Sequence, residues 1–138
     1  MMIRVVRLGT PRASNEGLRL GTVRRPPRGV LRADYARHDF YDVWLPELAP
    51  SSQLFAWIKS RPLTDARWRT YARRYRAEMK RPEAQRLITL LAALSVRTNF
   101  SVGCYCADET RCHRSLLRES LLEAGARVAP AAKMRSSE

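Results

Sequence analysis

No stretch of this sequence approaches the ~20 consecutive apolar residues of a membrane-spanning helix, so no span is expected. The amino end, Met1-Met2-Ile3-Arg4-Val5-Val6-Arg7, interrupts its apolar run with arginine too early for a secretory leader, and the cytoplasm is the expected compartment. Cysteine is scarce. The three cysteines all fall between residues 104 and 112, which does not fit a secreted disulfide scaffold. Lysine is nearly missing, with three against 23 arginines, and acidic residues number only 13. There is no internal repeat and no low-complexity segment.

A chain of 138 residues, 45% hydrophobic and 28% charged, has the balance of one globular domain and buries a core without staples. The formal net charge is +13, carried almost wholly by arginine. The planar guanidinium suits phosphate, and a positive field draws polyanions. Arginine enrichment also follows from a GC-rich genome, so charge alone does not establish a nucleic-acid partner. The partners expected are an anionic ligand or nucleic acid, and no membrane.

Residues 2–8 are apolar and β-branched and read as a buried strand ended by Gly9-Thr10-Pro11. Leu18–Val23 alternates weakly and reads as a second short strand. The prolines and glycine of Arg24-Arg25-Pro26-Pro27-Arg28-Gly29 make a loop whose three arginines read either as an anion clamp or as a solvated loop. Tyr35–Trp44 is aromatic-rich and fits a short helix or ordered loop. A helix starts after Ser51 and stops at Arg61-Pro62. The next spans about 65–80, with Trp68, Tyr71, Tyr75 and Met79 as an apolar stripe beside an arginine stripe of Arg69, Arg73 and Arg76. That stripe reads either as a polyanion-binding ridge or as a solvated face. A central helix over 83–97 follows, opened by Pro82. Then come a strand from Phe100 to Cys106, a turn, and a helix over 112–124 capped by Gly125. Residues 126–130 read as a further short strand. The order implies an α/β domain over 1–130, a mostly parallel sheet flanked by helices on both faces, with a frayed tail over 131–138.

The chemistry concentrates in Cys104-Tyr105-Cys106 … Arg111-Cys112-His113-Arg114. Alternate residues of a strand point the same way, so Cys104 and Cys106 share a side. Cys112, His113 and Arg114 fall in the first turn of a helix, where unpaired amides and the dipole favour an anion and a thiolate. The first reading is anion binding by Arg25, Arg28, Arg111 and Arg114. The second is a thiol nucleophile, Cys112 or Cys106, with His113 as base. Successive helix positions diverge by about 100°, which places His113 better for Cys106 than for Cys112. The phosphatase pattern of Cys, five residues, Arg is not met, because four residues separate Cys106 from Arg111 and two of them are acidic. The third reading is zinc on Cys104, Cys106, Cys112 and His113. The donors suit it, but C-x-C-x5-C-H is not knuckle spacing, so the sequence calls for no cofactor or metal ligand set. Redox pairing of Cys112 with Cys104 or Cys106 is the fourth; there is no C-x-x-C to favour it.

Val102-Gly103-Cys104-Tyr105-Cys106-Ala107-Asp108-Glu109-Thr110-Arg111-Cys112-His113-Arg114-Ser115-Leu116-Leu117 resembles the signature of the YeaO-like proteins, a bacterial family without an established activity. Val23–Val30 resembles that family's amino-terminal Pro-Arg-Gly motif. Tyr41–Ser51 resembles its central motif, and Trp68–Met79 its tyrosine-bearing helix. The similarity runs over about residues 2–125. It implies a single compact α/β domain and no particular reaction, and Cys112-His113-Arg114 match its most characteristic part.

Overall fold

The computed structural model describes residues 1–131. The tail expected over 131–138 lies outside them, apart from the exposed Ala131. Four strands form one parallel sheet: β1 (Ile3–Arg7), β2 (Leu18–Gly21), β3 (Val43–Trp44) and β4 (Phe100–Cys104), in the order β1-β4-β2-β3. β4 is buried along its whole length, as a strand paired on both edges should be. The segment after the last helix adds one parallel bridge, Val128 to Ile3, where a short strand was expected. β3 was not expected as a strand. Two exposed residues carry no alternation to read, and it is backbone pairing to Leu20 and Gly21 that fixes them.

The helices are α1 (Ser52–Lys59), α2 (Asp65–Met79), α3 (Pro82–Ser95) and α4 (His113–Glu123). Local chemistry sets their ends. Ser51 Oγ accepts from the Leu54 amide at 3.2 Å, and Thr64 Oγ1 from the Arg67 amide at 3.1 Å. Pro82 takes the first position of α3, and Gly125, at φ +89°, closes α4 in the left-handed region.

The helices gather on one face, where both faces were expected to carry them. Leu54 of α1, Tyr71 and Tyr75 of α2, Ile88 and Leu91 of α3, and Leu117 and Leu121 of α4 share one core with Ile3, Leu20, Phe100 and Val102. Each large aliphatic side chain buried there contributes ~1.5–3 kcal/mol. The opposite face is sealed by the long loops after β1 and β2. Arg19 and Ser101 lie side by side in register on it and meet Glu16 of the first loop. At the registered pair Gly21 and Gly103 the loops press so close that a Cβ would lie 2.2 Å from the Tyr41 ring and 2.5 Å from Leu8, respectively. A loop covers this face as tightly as a helix would, but its polar backbone needs partners. The buried Arg19 guanidinium supplies them, donating to the carbonyls of Thr10 and Asp39 at 2.8 and 2.7 Å.

Candidate functional site

Short parallel strands bring their carboxyl ends to one edge, where the connections open a crevice. Here that crevice is a pocket of about 470 Å³. One side comes from the loop after β2, with Val23 to Arg28. Another comes from α1, with Phe55, Ile58 and Lys59. The floor is Cys104 at the end of β4, Cys106 in the following turn, and Cys112 and His113 at the start of α4. Phe40, Tyr71 and Tyr105 add aromatic wall, so the pocket is apolar below a cationic rim of Arg24, Arg25, Arg28, Lys59 and Arg111.

The three sulfurs converge. All lie within 4.8 Å of one another, and Cys104 Sγ and Cys106 Sγ are 3.8 Å apart, as the shared side of a strand end requires. Cys112 is 2% exposed and Cys104 7%, while Cys106 is half-buried. This cluster could hold a metal ion. Three thiols packed so closely cannot ionise together. Cys112 is the one favoured as thiolate: hydrogen bonds from the Cys104 and Cys106 thiols hold it well below the ordinary range, with the Arg114 amide and charge adding to them. The direction agrees with the sequence reading, but the neighbouring sulfurs outweigh the arginine. Cys104, correspondingly, is raised.

His113 sits closer to Cys112 than helical geometry suggests, with Nδ1 3.8 Å from Sγ. The physical reason is that Cys112 precedes the helix in extended conformation, φ −126° and ψ 151°, so the 100° step between successive helix positions does not apply. His113 Nε2 lies 2.6 Å from the Thr22 carbonyl. A carbonyl only accepts, so Nε2 carries the proton and Nδ1 presents its lone pair. Burial pushes the histidine down to about 4, so the ring is neutral at pH 7.

The arginines divide. Arg25 and Arg28 are exposed on the rim, Arg25 with its guanidinium 5.8 Å from the centre of the Phe55 ring. Arg111 also lines the pocket and pairs with Asp65. Arg114 is 3% exposed and turned inward, donating through Nη2 to the Cys106 carbonyl at 2.6 Å. It fixes the turn that carries Cys106 and is not part of the pocket lining. Arg24 does the same for the neighbouring loop, donating to the carbonyls of Pro46 and Pro50, both at 2.9 Å. Lys59 and the aromatic wall were not singled out from sequence. The packing of α1 brings Lys59 to the site, while Phe40 and Tyr71 reach it from the loop after β2 and from α2.

With the motifs placed, comparison with known families becomes informative. A family model described as DUF488-N3a, the active DUF488-N3 subclade, matches residues 3–125. The chain belongs to the DUF488-N3a family. YeaO-like proteins are DUF488 members, so the resemblance carried by the sequence motifs stands. No curated protein and no solved structure matches the chain. The matched span of this DUF488-N3a chain takes in every strand, every helix and all the pocket residues named above.

Proposed function

We propose that this DUF488-N3a protein binds a small phosphate-bearing organic molecule in the pocket at the carboxyl edge of its sheet. One observation carries the reading: Arg25, Arg28, Lys59 and Arg111 rim the same pocket whose floor is the cysteine cluster and whose walls are apolar. An apolar cavity with a few convergent charged groups is the usual form of a ligand site, and its volume suits a molecule of small-ligand size. Arg25 and Arg28 would hold the anion, Arg111 would contribute from its ion pair, and Arg114 would act from behind by holding the Cys106 turn. The ligand's body would lie against Phe40, Phe55 and Tyr105, over the sulfurs.

The test uses phenyl phosphate as the probe and benzyl alcohol as its neutral counterpart, measured by isothermal titration calorimetry. A charge-assisted hydrogen bond contributes ~1.5–3 kcal/mol, so Arg28→Ala should weaken phenyl phosphate binding by about ten- to a hundredfold. Binding should also weaken as salt rises. Equal affinity for the neutral compound, or an Arg28→Ala/Arg25→Ala double variant that binds like the parent, would refute the reading.

A second reading is favoured by the sulfur geometry. With His113 Nδ1 3.8 Å from Cys112 Sγ and its neighbours favouring the thiolate, Cys112 would be the nucleophile toward an electrophile held by the rim.

A further inference from the structure

We propose that Cys104, Cys106 and Cys112 form a binding site for a thiophilic divalent cation, zinc above all, with the fourth coordination position open to the pocket. The argument is one of distance and charge. In a tetrahedral zinc–thiolate centre the Zn–S bonds of ≈2.3 Å set the sulfurs about 3.8 Å apart. Cys104 Sγ and Cys106 Sγ already have that separation, 3.8 Å, and no sulfur pair in the cluster exceeds 4.8 Å. Rotation of a cysteine side chain closes a gap of about 1 Å without moving the backbone.

The ligands arrive from three differently fixed places. Cys104 ends a strand paired on both sides, Cys112 opens α4, and Cys106 lies between them on a turn whose carbonyl is held by Arg114. A site built on a strand end and a helix start is rigid where a loop site is not. Its spacing differs from a zinc knuckle because the strand, and not a tight turn, sets two of the donors side by side.

His113 belongs to the site's surroundings. Its ring is tied by Nε2 to the Thr22 carbonyl, and its Nδ1 approaches Cys112 Sγ at 3.8 Å. Three thiolates with a divalent cation carry a net charge of −1, which the arginines around the site offset. All three cysteines line the pocket, so a fourth position on the metal would face whatever the pocket holds. That is the arrangement of a centre with an exchangeable ligand and not of a closed structural one.

The proposal stands apart from anion binding at the rim, and its test reads the sulfurs alone. Protein purified without chelator is expected to contain one zinc per chain by mass spectrometry of the metal. Cobalt(II), added alone after chelator treatment, should give a thiolate-to-cobalt charge-transfer band and the intense visible bands of a tetrahedral site. Cys112→Ser and Cys106→Ser should each lower metal content at least tenfold. Cys106 is half-buried, so Cys106→Ser is the variant expected to keep the fold, checked by circular dichroism. Arg28→Ala should leave the metal unchanged. Protein that takes up neither zinc nor cobalt, and whose thiols all react freely with Ellman's reagent in the folded state, would overturn the metal site. It would leave the phenyl phosphate result untouched.

Discussion

Replacing Arg19 by alanine is the sharpest test of how the loop-covered face is held. Arg19 is 0% exposed, and its guanidinium makes four hydrogen bonds: Nε and Nη2 to Glu16 at 2.8 and 3.0 Å, and Nη1 to the carbonyls of Thr10 and Asp39. Glu16, 3% exposed, also accepts from Ser101 Oγ at 2.8 Å. Removing one partner of such a pair leaves a buried charge uncompensated, which costs ~3–5 kcal/mol. A domain of this kind has ~5–15 kcal/mol in all, so the variant should lose about a fifth or more of its stability in urea denaturation at pH 7. The pH dependence carries a second check. Burial pushes the Glu16 carboxyl up, but the Arg19 and Ser101 hydrogen bonds and the Arg19 charge outweigh it, and the net shift is down. The pair's contribution is therefore present above the ordinary glutamate range and is lost as pH falls through the lower folded value. In Arg19→Ala the Ser101 and Ala13 hydrogen bonds remain but the arginine's bonds and charge are gone, so the carboxyl rises from its value in the parent and acid relieves the strain. The difference between parent and variant should thus shrink between pH 7 and pH 4. A loss under ~1 kcal/mol at pH 7, a pH-independent difference, or strict additivity with Glu16→Gln would refute the reasoning.

Three further outcomes follow from the same packing. Gly21→Ala places a methyl 2.2 Å from the buried Tyr41 ring, and overpacking of this kind should cost ~1–3 kcal/mol in a urea melt. Asp42 accepts from both Arg12 nitrogens, at 2.7 and 3.2 Å, and from the Arg19 amide at 2.7 Å. Burial opposes its ionisation, but those partners win and lower its pKa. Asp42→Asn should therefore cost ~0.5–1.5 kcal/mol at pH 7, and the cost should vanish below the ordinary aspartate range. Arg69 and Arg73 are exposed on α2, whereas Arg76 pairs with Glu119, and Arg67 and Arg74 lie against the Trp57 ring. Arg69→Gln/Arg73→Gln should leave stability within ~0.5 kcal/mol. If the ridge takes duplex DNA phosphates, it should make the log–log salt slope shallower by about 1.8. An unchanged slope would mark the stripe as a solvated face.

What the sequence discloses here tracks how local the determining interaction is. The α2 stripe, the serine and threonine caps, Pro82 and Gly125 are settled within one or two turns of chain, and their helices lie where periodicity places them. The strand–turn–helix order of Cys104 to Arg114 is equally local, and so the convergence of Cys104 and Cys106 was readable. β3 was not, because two exposed residues owe their conformation to β2 alone. The gathering of the helices on one face was hidden too. It depends on Arg19, Glu16 and Ser101, a polar layer assembled from residues up to 85 positions apart. The closeness of His113 to Cys112 turned on whether Cys112 lies inside the helix or just before it, a boundary of one residue.

The same distinction orders the site. Its sulfurs come from nine consecutive positions, so their geometry depends on the β4 end, the Arg114 hold on the turn and the start of α4. Of its cations only Arg111 belongs to that stretch; the others come from the loop after β2 and the end of α1. Two residues join the halves: Tyr105, whose hydroxyl donates to the Arg25 carbonyl at 2.9 Å, and Thr22, one residue past the last of β2. Its amide and hydroxyl both donate to the Gly103 carbonyl at 3.0 Å, and its own carbonyl accepts from His113. One residue thus ties the loop carrying Arg25 and Arg28 to the strand that delivers Cys104 and to the helix that follows Cys112. Thr22→Val removes only the hydroxyl bond and should cost ~1 kcal/mol while keeping both functions. His113→Ala, which cuts the tie between the loop and α4 but leaves those to β4, should weaken phenyl phosphate binding although it touches no rim arginine. An unchanged affinity in His113→Ala would mean that the rim and the sulfur floor are two independent features that merely share a pocket.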